Sequence, residues 1–271
     1  LYHYDLHQFI PQIPTLLKPQ GRIAFHTLQL SKNWSNAHFL SQQRDQYLLK
    51  LADVQLKHLM SQAQLQQLLE QQGFKKPIGA LGFHDYLSPS IATDQKHKNN
   101  EAWDIVYAGS LNLRKNAFIL KMQELDYQFK FHLYGNMEDY DAVAKDKNII
   151  WHGFMNADDF IKQVHGNFGL VWDGDSLEEC HGDFGSYLKY NTPHKASFYL
   201  RAGLPIIVWK ESAIAPLVEE RGVGFAINSL KELPGRLASI SEEEYAGMLT
   251  QTKQMAIAIN NGENLKKAIQ E

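Results

Sequence analysis

The stretch of sequence that decides the fold runs from residue 172 to residue 208 and reads WDGDSLEECHGDFGSYLKYNTPHKASFYLRAGLPIIV. Its pattern is the end of a strand, a long polar loop, a helix, a turn and a second strand. The residues just before it, 169–172, close the first of these strands. Thr192 is the predicted N-cap of the helix and Pro193 its first residue, because a hydroxyl side chain followed by proline is typical of a helix start.

Lys195 lies in the first turn of this predicted helix, beside His194. The helix dipole disfavours a cation at that end, so the position makes sense if an anion docks there. Free backbone N–H groups, the positive end of the dipole and a lysine side chain together form a phosphate site. The alternative is an ordinary exposed lysine near a helix start.

The composition is that of a globular protein. The chain has 271 residues, of which 44% are hydrophobic and 21% charged, and this length is enough for two domains. A net charge of −3 without a long basic run gives nucleic-acid binding no electrostatic support. The single cysteine, Cys180, excludes an intrachain disulfide framework and a cysteine-rich metal site.

From residue 104 onward, short apolar runs alternate with segments of helical spacing. This alternation predicts a parallel, doubly wound α/β sheet. The segment 89–100 is polar and lacks periodicity, which favours a linker. Ser241 and Glu244 match a capping box that opens a last helix. The predicted organisation is a first domain, a linker, a second domain and a C-terminal helix, at residues 1–88, 89–100, 101–255 and 256–271.

Ligands of such a sheet bind outside the carboxyl ends of its strands. Arg114 and Lys195 follow different strands, so they are candidates for binding one diphosphate, with arginine giving a fork and lysine a point charge. For Arg114 alone, a surface charge at a helix start is the alternative. The candidate nucleotide-sugar ligands at these strand ends are Gly109, Ser110, Arg114, Tyr134, Asp173, Tyr190, Asn191, His194, Lys195 and Ser197.

Three of the candidates have further alternatives. Asn191 and Ser197 are polar neighbours of Lys195 that suit a phosphate or ribose, but capping or packing explains Ser197 equally well. His26 lies at the carboxyl end of a predicted strand in the first domain and is the candidate catalytic residue. The alternative for His26 is a half-buried histidine at a strand end.

The pattern WDG…GxxGxYLKYNxPHKxSxYLxAGLPxIVW resembles bacterial GT-B glycosyltransferases of the β-1,6-galactofuranosyltransferase type. It is also similar to the glucosyltransferases that extend GlcNAc on serine-rich-repeat adhesins. The resemblance is dense over 104–227 and traceable over 23–88. It implies two Rossmann-like domains facing a cleft. The N-terminal domain is expected to be incomplete, because the family has a further β-α-β stretch before residue 1.

The resemblance also implies roles for individual residues. In the family, the corresponding arginine and lysine contact the nucleotide diphosphate, and an aromatic residue lies beside the nucleotide. The local patterns GSLNLR, PHKAS and HLYG carry these roles onto Arg114, Lys195 and Tyr134. The expected donor is UDP-galactofuranose or UDP-glucose, without a further cofactor. The expected acceptor is a glycan, a glycoprotein or a lipid-linked sugar lying against the first domain.

The loop after residue 172 carries carboxylates that suggest a metal site, namely Asp173, Asp175, Glu178, Glu179 and Asp183. The resemblance favours no metal, because GT-B enzymes neutralise the leaving diphosphate with arginine, lysine and a helix dipole. Asp173 is predicted to contact the donor sugar.

The sequence lacks one pattern that is typical of the retaining GT-B enzymes, a pair of glutamates eight positions apart. Tyr190 and Phe198 occupy those positions here, which favours an inverting reaction. Glu211 and Glu219 have the same spacing, but they come after the AGLP turn at residues 202–205. We therefore interpret their spacing as chance. An inverting reaction needs a general base, for which His26 is the candidate.

Several alternatives stay open at this point. The chain could be a non-catalytic nucleotide-sugar-binding partner of an active transferase, or a nucleotide-sugar epimerase of the same build. Homo-oligomer formation and peripheral membrane contact through a lipid-linked acceptor are also open. The sequence has no apolar run long enough to span a bilayer and no visible signal peptide, so we expect a cytoplasmic location, at the inner face of the plasma membrane if the acceptor is lipid-linked.

Overall fold

The structure, a computed structural model, describes residues 82–92, 102–137, 141, 143, 146–264 and 266. Its strands are β1 Ile105–Ala108, β2 Phe131–Tyr134, β3 Ile149–Trp151, β4 Phe168–Val171, β5 Ile206–Trp209 and β6 Gly224–Ile227. In this part of the chain they form one six-stranded sheet in the order β3-β2-β1-β4-β5-β6, and all neighbours are parallel. The predicted doubly wound α/β sheet is confirmed.

The centre of the sheet is buried along its whole length. Every residue of β1, β2, β4 and β5 is buried, as expected for parallel strands that are covered on both faces. Ile105 is paired with Phe131 of β2 on one side and with Phe168 of β4 on the other. The strand order reverses between β1 and β4, and this reversal opens a crevice at their carboxyl ends.

Helices connect the strands. The α-helices among the described residues are α1 Leu113–Asn116, α2 Phe118–Lys121, α3 Ala157–Gln163, α4 Gly182–Tyr187, α5 His194–Arg201, α6 Ala215–Arg221, α7 Leu233–Ser239 and α8 Glu242–Asn260. Short 3-10 helices span Met122–Glu124 and Leu230–Glu232. The Ser241 hydroxyl accepts the Glu244 N–H at 3.1 Å, so the predicted cap of the last long helix is confirmed. None of the described helices has the length and apolar character needed to cross a bilayer.

Two local predictions differ from the structure. Helix α5 begins one residue later than expected, because Pro193 has an extended ψ of 133° and is itself the N-cap, so Thr192 does not cap the helix. Helix α4 lies within a stretch that was expected to be a loop. Its glycines give it low helical propensity, and close packing stabilises it instead. A Cβ on Gly185 would lie 2.7 Å from the Asp173 carbonyl oxygen.

The segment 82–92 belongs to the same compact unit as the sheet. The Tyr86 N–H donates to the Ile259 carbonyl at 3.2 Å, and the Ser88 N–H donates to the Asn260 side chain at 2.8 Å. Helix α8 continues without a break through the position where a last helix was predicted to begin, residue 256. Residues 1–81 and 93–101 lie outside the described residues, so the division of the chain into domains stays a prediction.

Arg201, the last residue of α5, fastens the segment 82–92 to the helix. It is only 5% exposed. Its Nε donates to the Tyr86 carbonyl at 3.1 Å, and Nη2 donates to the carbonyls of Ser88 and Ser90 at 3.2 and 2.9 Å. A buried guanidinium is stable only when its donors find acceptors, and the segment provides three of them.

We expect the Arg201→Ala substitution to lower the free energy of unfolding by about 3 kcal/mol, because it leaves buried carbonyls without a charged donor. Urea unfolding followed by circular dichroism measures the change. Arg221→Ala is the matched control, since Arg221 is an exposed residue at the end of α6. Equal changes in the two variants would contradict a clamping role for Arg201.

Candidate functional site

The candidate site lies at the carboxyl ends of β1 and β4, where the strand order reverses. Strand β1 leads into Gly109 and Ser110, which are both exposed. Strand β4 leads into Trp172 and Asp173, which are both buried. Helix α5 begins beside these ends, so three separate elements of the chain contribute to one place.

A buried network joins the two strand ends to helix α5. The Lys195 Nζ lies 3.1 Å from Asp173 Oδ1 and 3.1 Å from the Tyr107 hydroxyl. The Tyr107 hydroxyl is in turn 2.8 Å from Asp173 Oδ1. The side chains of Lys195 and Asp173 are only 13% and 7% exposed. The ammonium also lies 4.2 Å from the centre of the Tyr107 ring, so its position is fixed from two sides.

Two residues of the short helix α1 complete the network. The Lys115 Nζ lies 3.6 Å from Asp173 Oδ2, and its side chain is 31% exposed. The Asn116 side-chain amide donates to the Tyr107 hydroxyl at 3.2 Å and to the Ser110 carbonyl at 3.0 Å. Two lysines therefore share a single carboxylate. This arrangement leaves an excess of positive charge at the strand ends, which suits an anionic ligand.

The sequence did not predict Tyr107, Lys115 or Asn116 as part of the site. One signal for Tyr107 was available, since a tyrosine within an apolar buried strand needs a partner for its hydroxyl. The family pattern assigns the diphosphate contact to the adjacent Arg114 and not to Lys115. Arg114 lies on α1 with an exposed side chain.

Burial sets the protonation of the network. It lowers the pKa of the Lys195 ammonium, and the Asp173 carboxylate opposes this change. Burial and the same carboxylate raise the pKa of the Tyr107 hydroxyl well above its ordinary value, so that this group stays a donor. Burial likewise raises the pKa of the nearby Cys180 thiol, which makes the thiol a poor nucleophile.

The turns after β1 and β2 approach each other closely. Gly135 has a φ of +141°, and a Cβ on it would lie 1.9 Å from the Gly109 carbonyl oxygen, so only glycine fits there. The Gly135 N–H donates to the Gly153 carbonyl at 2.8 Å, which places the turn after β3 alongside. Phe154 follows directly and is 70% exposed. This edge of the sheet thus combines the exposed turn at Gly109 with an exposed aromatic ring.

Tyr134, predicted to lie beside the nucleotide, is 2% exposed at the end of β2. Its hydroxyl accepts the His165 N–H at 3.0 Å, and its ring stacks on His152 with centres 4.4 Å apart. Burial, together with His132 and His165, lowers the pKa of His152 to about 4, so this imidazole is neutral at pH 7. Tyr134 therefore supports the strand end by packing, and its place beside a nucleotide stays a prediction.

The structure brings Lys195 and Asp173 into contact and leaves other candidates around them. His194 and Tyr190 are exposed near the start of α5, and Asn191 is half-buried. Ser197 is fully buried, and no partner for its hydroxyl is found among the described residues, which favours the packing alternative. The candidate base His26 lies outside the described residues.

Two of the acidic residues in the loop after β4 form pairs of their own. Asp175 Oδ1 lies 3.1 Å from His181 Nδ1, and Glu178 pairs with Lys231. Asp173 belongs to the buried network. In the part of the chain that the structure describes, no three histidine, cysteine or acidic residues are arranged to hold a metal ion. Metal independence itself stays a prediction.

Glu211 and Glu219, which share the spacing of the retaining enzymes, lie in exposed ion pairs. Glu211 pairs with Lys189 at 2.5 Å and Glu219 with Lys210 at 2.7 Å. Each glutamate therefore already has a cationic partner on the surface. This fits the interpretation of their spacing as chance.

Comparison with known proteins identifies the family of the chain. Residues 105–271, more than half of the chain, match the family model described as Glucosyltransferase 3-like, C-terminal domain. The chain belongs to this family. The resemblance noted from the stretch 172–208 is thereby confirmed.

The chain is also similar to two curated glycosyltransferases. The β-1,6-galactofuranosyltransferase WbbI of Escherichia coli K12 is 31% identical over 195 residues, which are 69% of this chain and 54% of WbbI. Glucosyltransferase 3 of Streptococcus gordonii is 30% identical over 123 residues, which are 45% of this chain and 36% of the relative. The chain thus spans about half the length, or less, of the curated relatives it matches.

Solved structures of glycosyltransferases are also similar to the chain. WaaG, a glycosyltransferase involved in lipopolysaccharide biosynthesis, is 11% identical with a TM-score of 0.44, over 85% of this chain and 68% of WaaG. HepE of Anabaena, solved in complex with UDP and glucose, is 13% identical with a TM-score of 0.39, over 76% of this chain and 61% of HepE.

Proposed function

We propose that the protein is a GT-B glycosyltransferase that moves a hexosyl group from a UDP-sugar to an acceptor in the assembly of cell-surface polysaccharide or glycoprotein. The donor would be UDP-galactofuranose or UDP-glucose, and the acceptor a glycan, a glycoprotein or a lipid-linked sugar. Membership of the Glucosyltransferase 3-like family supports transfer chemistry. The buried Lys195–Asp173–Tyr107 network at the β1/β4 crevice is the observation that carries the proposal.

The diphosphate of the donor would bind over Lys195 and the first turn of α5. Among the described residues no side chain caps this helix, and the positive end of its dipole lies where the anion would bind. Lys195 and Lys115 already face one carboxylate, and the phosphate oxygens would offer them a second, stronger partner. Arg114 is exposed on the same short helix as Lys115 and would extend the cationic side of the site.

The remaining parts of the donor would lie along the same edge of the sheet. Gly109 and Ser110 are exposed at the carboxyl end of β1, and the nucleoside would lie against this turn. Phe154 would offer an exposed face for a uracil ring. Asp173, whose carboxylate is 7% exposed, would contact the sugar only through a residual lone pair.

The proposed reaction is inverting and independent of metal. The acceptor hydroxyl would attack the anomeric carbon while a general base takes its proton, and UDP would leave toward the lysines. Positive charge that is already fixed in place stabilises the leaving diphosphate without reorganisation. The base would come from the first domain, with His26 as the candidate.

Calorimetric titration of the full chain with UDP, with and without EDTA, tests the proposal. We expect UDP to bind with the same affinity in both conditions, because lysines rather than a metal hold the diphosphate. A panel of UDP-sugars and glycan acceptors would then identify the pair that is turned over.

The outcomes of the titration distinguish the donor site, metal independence and catalysis from one another. Absence of UDP binding would refute the donor site, and loss of binding in EDTA would refute metal independence. UDP-sugar binding without turnover on any acceptor would favour the alternative of a non-catalytic nucleotide-sugar-binding partner.

A further inference from the structure

Helix α5 starts at a turn that is held by a residue more than a hundred positions earlier. The His84 Nε2 lies 2.8 Å from the Thr192 carbonyl oxygen. A carbonyl only accepts hydrogen bonds, so Nε2 must carry the proton. The His84 ring also stacks on His194, with centres 4.3 Å apart and planes 19° from parallel. His84 therefore contacts the residues on both sides of Pro193.

His84 is itself firmly anchored. Its neighbour Phe83 is 4% exposed in the core. Two residues further on, Tyr86 donates its N–H to helix α8 and accepts a hydrogen bond from Arg201. Because Arg201 is the last residue of α5 and His84 contacts the residues at its start, the segment 82–92 contacts both ends of that helix. A residue held in this way can restrain the turn rather than follow its motions.

The first turn of α5 is closed by a backbone hydrogen bond and not by a side chain of its N-cap. Pro193 is an N-cap without a side-chain hydrogen bond, and Ala196 donates its N–H to the Pro193 carbonyl at 3.0 Å in a tight first turn. Lys195 lies in the middle of this turn. A small rotation of the turn would move the Lys195 ammonium away from Asp173, with which it makes a 3.1 Å contact.

We infer that His84 is a positioning residue of the donor site, which fixes the first turn of α5 and thereby the place of Lys195. This inference rests on the proposed function, since it assigns His84 a role in binding the donor diphosphate. His84 does not need to touch the donor. It acts through Thr192 and His194, so its removal should weaken binding without abolishing it.

The test compares three variants of the full chain. His84→Ala removes both the hydrogen bond and the stack. His84→Gln keeps an N–H donor at the place of Nε2. Leu87→Ala, in the same segment and 72% exposed, is the matched control. Amide hydrogen exchange at Ala196 is measured without ligand, UDP affinity is measured by calorimetry, and thermal unfolding shows whether each variant is folded.

We expect His84→Ala to raise the exchange rate at Ala196 and to weaken UDP binding, each by about fivefold, which corresponds to one lost hydrogen bond. His84→Gln should restore most of both, and Leu87→Ala should change neither. Unchanged exchange at Ala196 in folded His84→Ala would overturn the inference, as would unchanged UDP affinity. If the unaltered protein does not bind UDP, the proposed function fails, whereas the exchange arm still decides whether His84 restrains the turn.

Discussion

Replacement of Lys195 by methionine is expected to weaken UDP binding by about 10- to 100-fold, which is the contribution of one charged hydrogen bond to a phosphate. Methionine keeps an unbranched stem that can still pack on the Tyr107 ring, so the change removes the charge more than the packing. Asp173 would retain the Tyr107 hydroxyl and Lys115 as partners. The variant should therefore fold, although with reduced stability.

Calorimetry with UDP at pH 7 measures the change in affinity for Lys195→Met. Lys210→Met is the matched control, because Lys210 follows β5 and lies in an exposed ion pair with Glu219. We expect this control to bind UDP like the unaltered protein. Wild-type affinity in a folded Lys195→Met variant would mean that the diphosphate binds elsewhere.

Replacement of Asp173 by asparagine should make UDP binding depend on pH. Burial lowers the pKa of Lys195, and Asp173 opposes that change. Without the carboxylate, the pKa of Lys195 must fall further, and its neighbour Lys115 pushes in the same direction. Since the diphosphate binds the protonated ammonium, affinity in Asp173→Asn should drop as the pH rises from 6 to 9.

The size of the effect differs at the two ends of this range. At pH 6 the variant should bind UDP at least as tightly as the unaltered protein, because the carboxylate no longer competes for the lysines. At pH 9 we expect it to bind several-fold more weakly than the unaltered protein, because a larger fraction of Lys195 has lost its proton. Asp175→Asn, which removes an exposed carboxylate of the same loop, is the control. Parallel pH profiles for the two variants would show that Asp173 does not maintain the charge of Lys195.

The sequence predicted the sheet, and it proposed a candidate site at the ends of the strands, because both inferences depend on local patterns. Buried parallel strands appear in the sequence as continuous apolar runs. The segments that follow them contain the glycines and charged residues typical of a ligand site. Lys195 was found in this way, since a cation in the first turn of a helix conflicts with the dipole. The start of α5 was misplaced by one residue, because proline is acceptable both as the N-cap and as the first helical residue.

The contacts of the site could not be predicted, because they join residues that are distant in the sequence. Tyr107 lies 66 positions from Asp173 and 88 from Lys195, and His84 lies 108 positions from Thr192. Nothing in the local pattern says which buried hydroxyl meets which carboxylate. Helix α4 was missed for a similar reason, because its packing on the Asp173 backbone outweighs its weak propensity.

The clamp formed by Arg201 also has a consequence for protein engineering. If the chain is the two-domain transferase proposed above, a hybrid enzyme would join its donor-binding half to the acceptor-binding half of another transferase. The natural cut would fall in the polar stretch after residue 92, yet Arg201 takes its acceptors from residues 86–90. In a hybrid joined there, the carbonyl groups around the buried Arg201 guanidinium would come from the sequence of the other enzyme. The exchangeable module therefore begins at residue 82 or earlier, so that the clamp and its acceptors are inherited together.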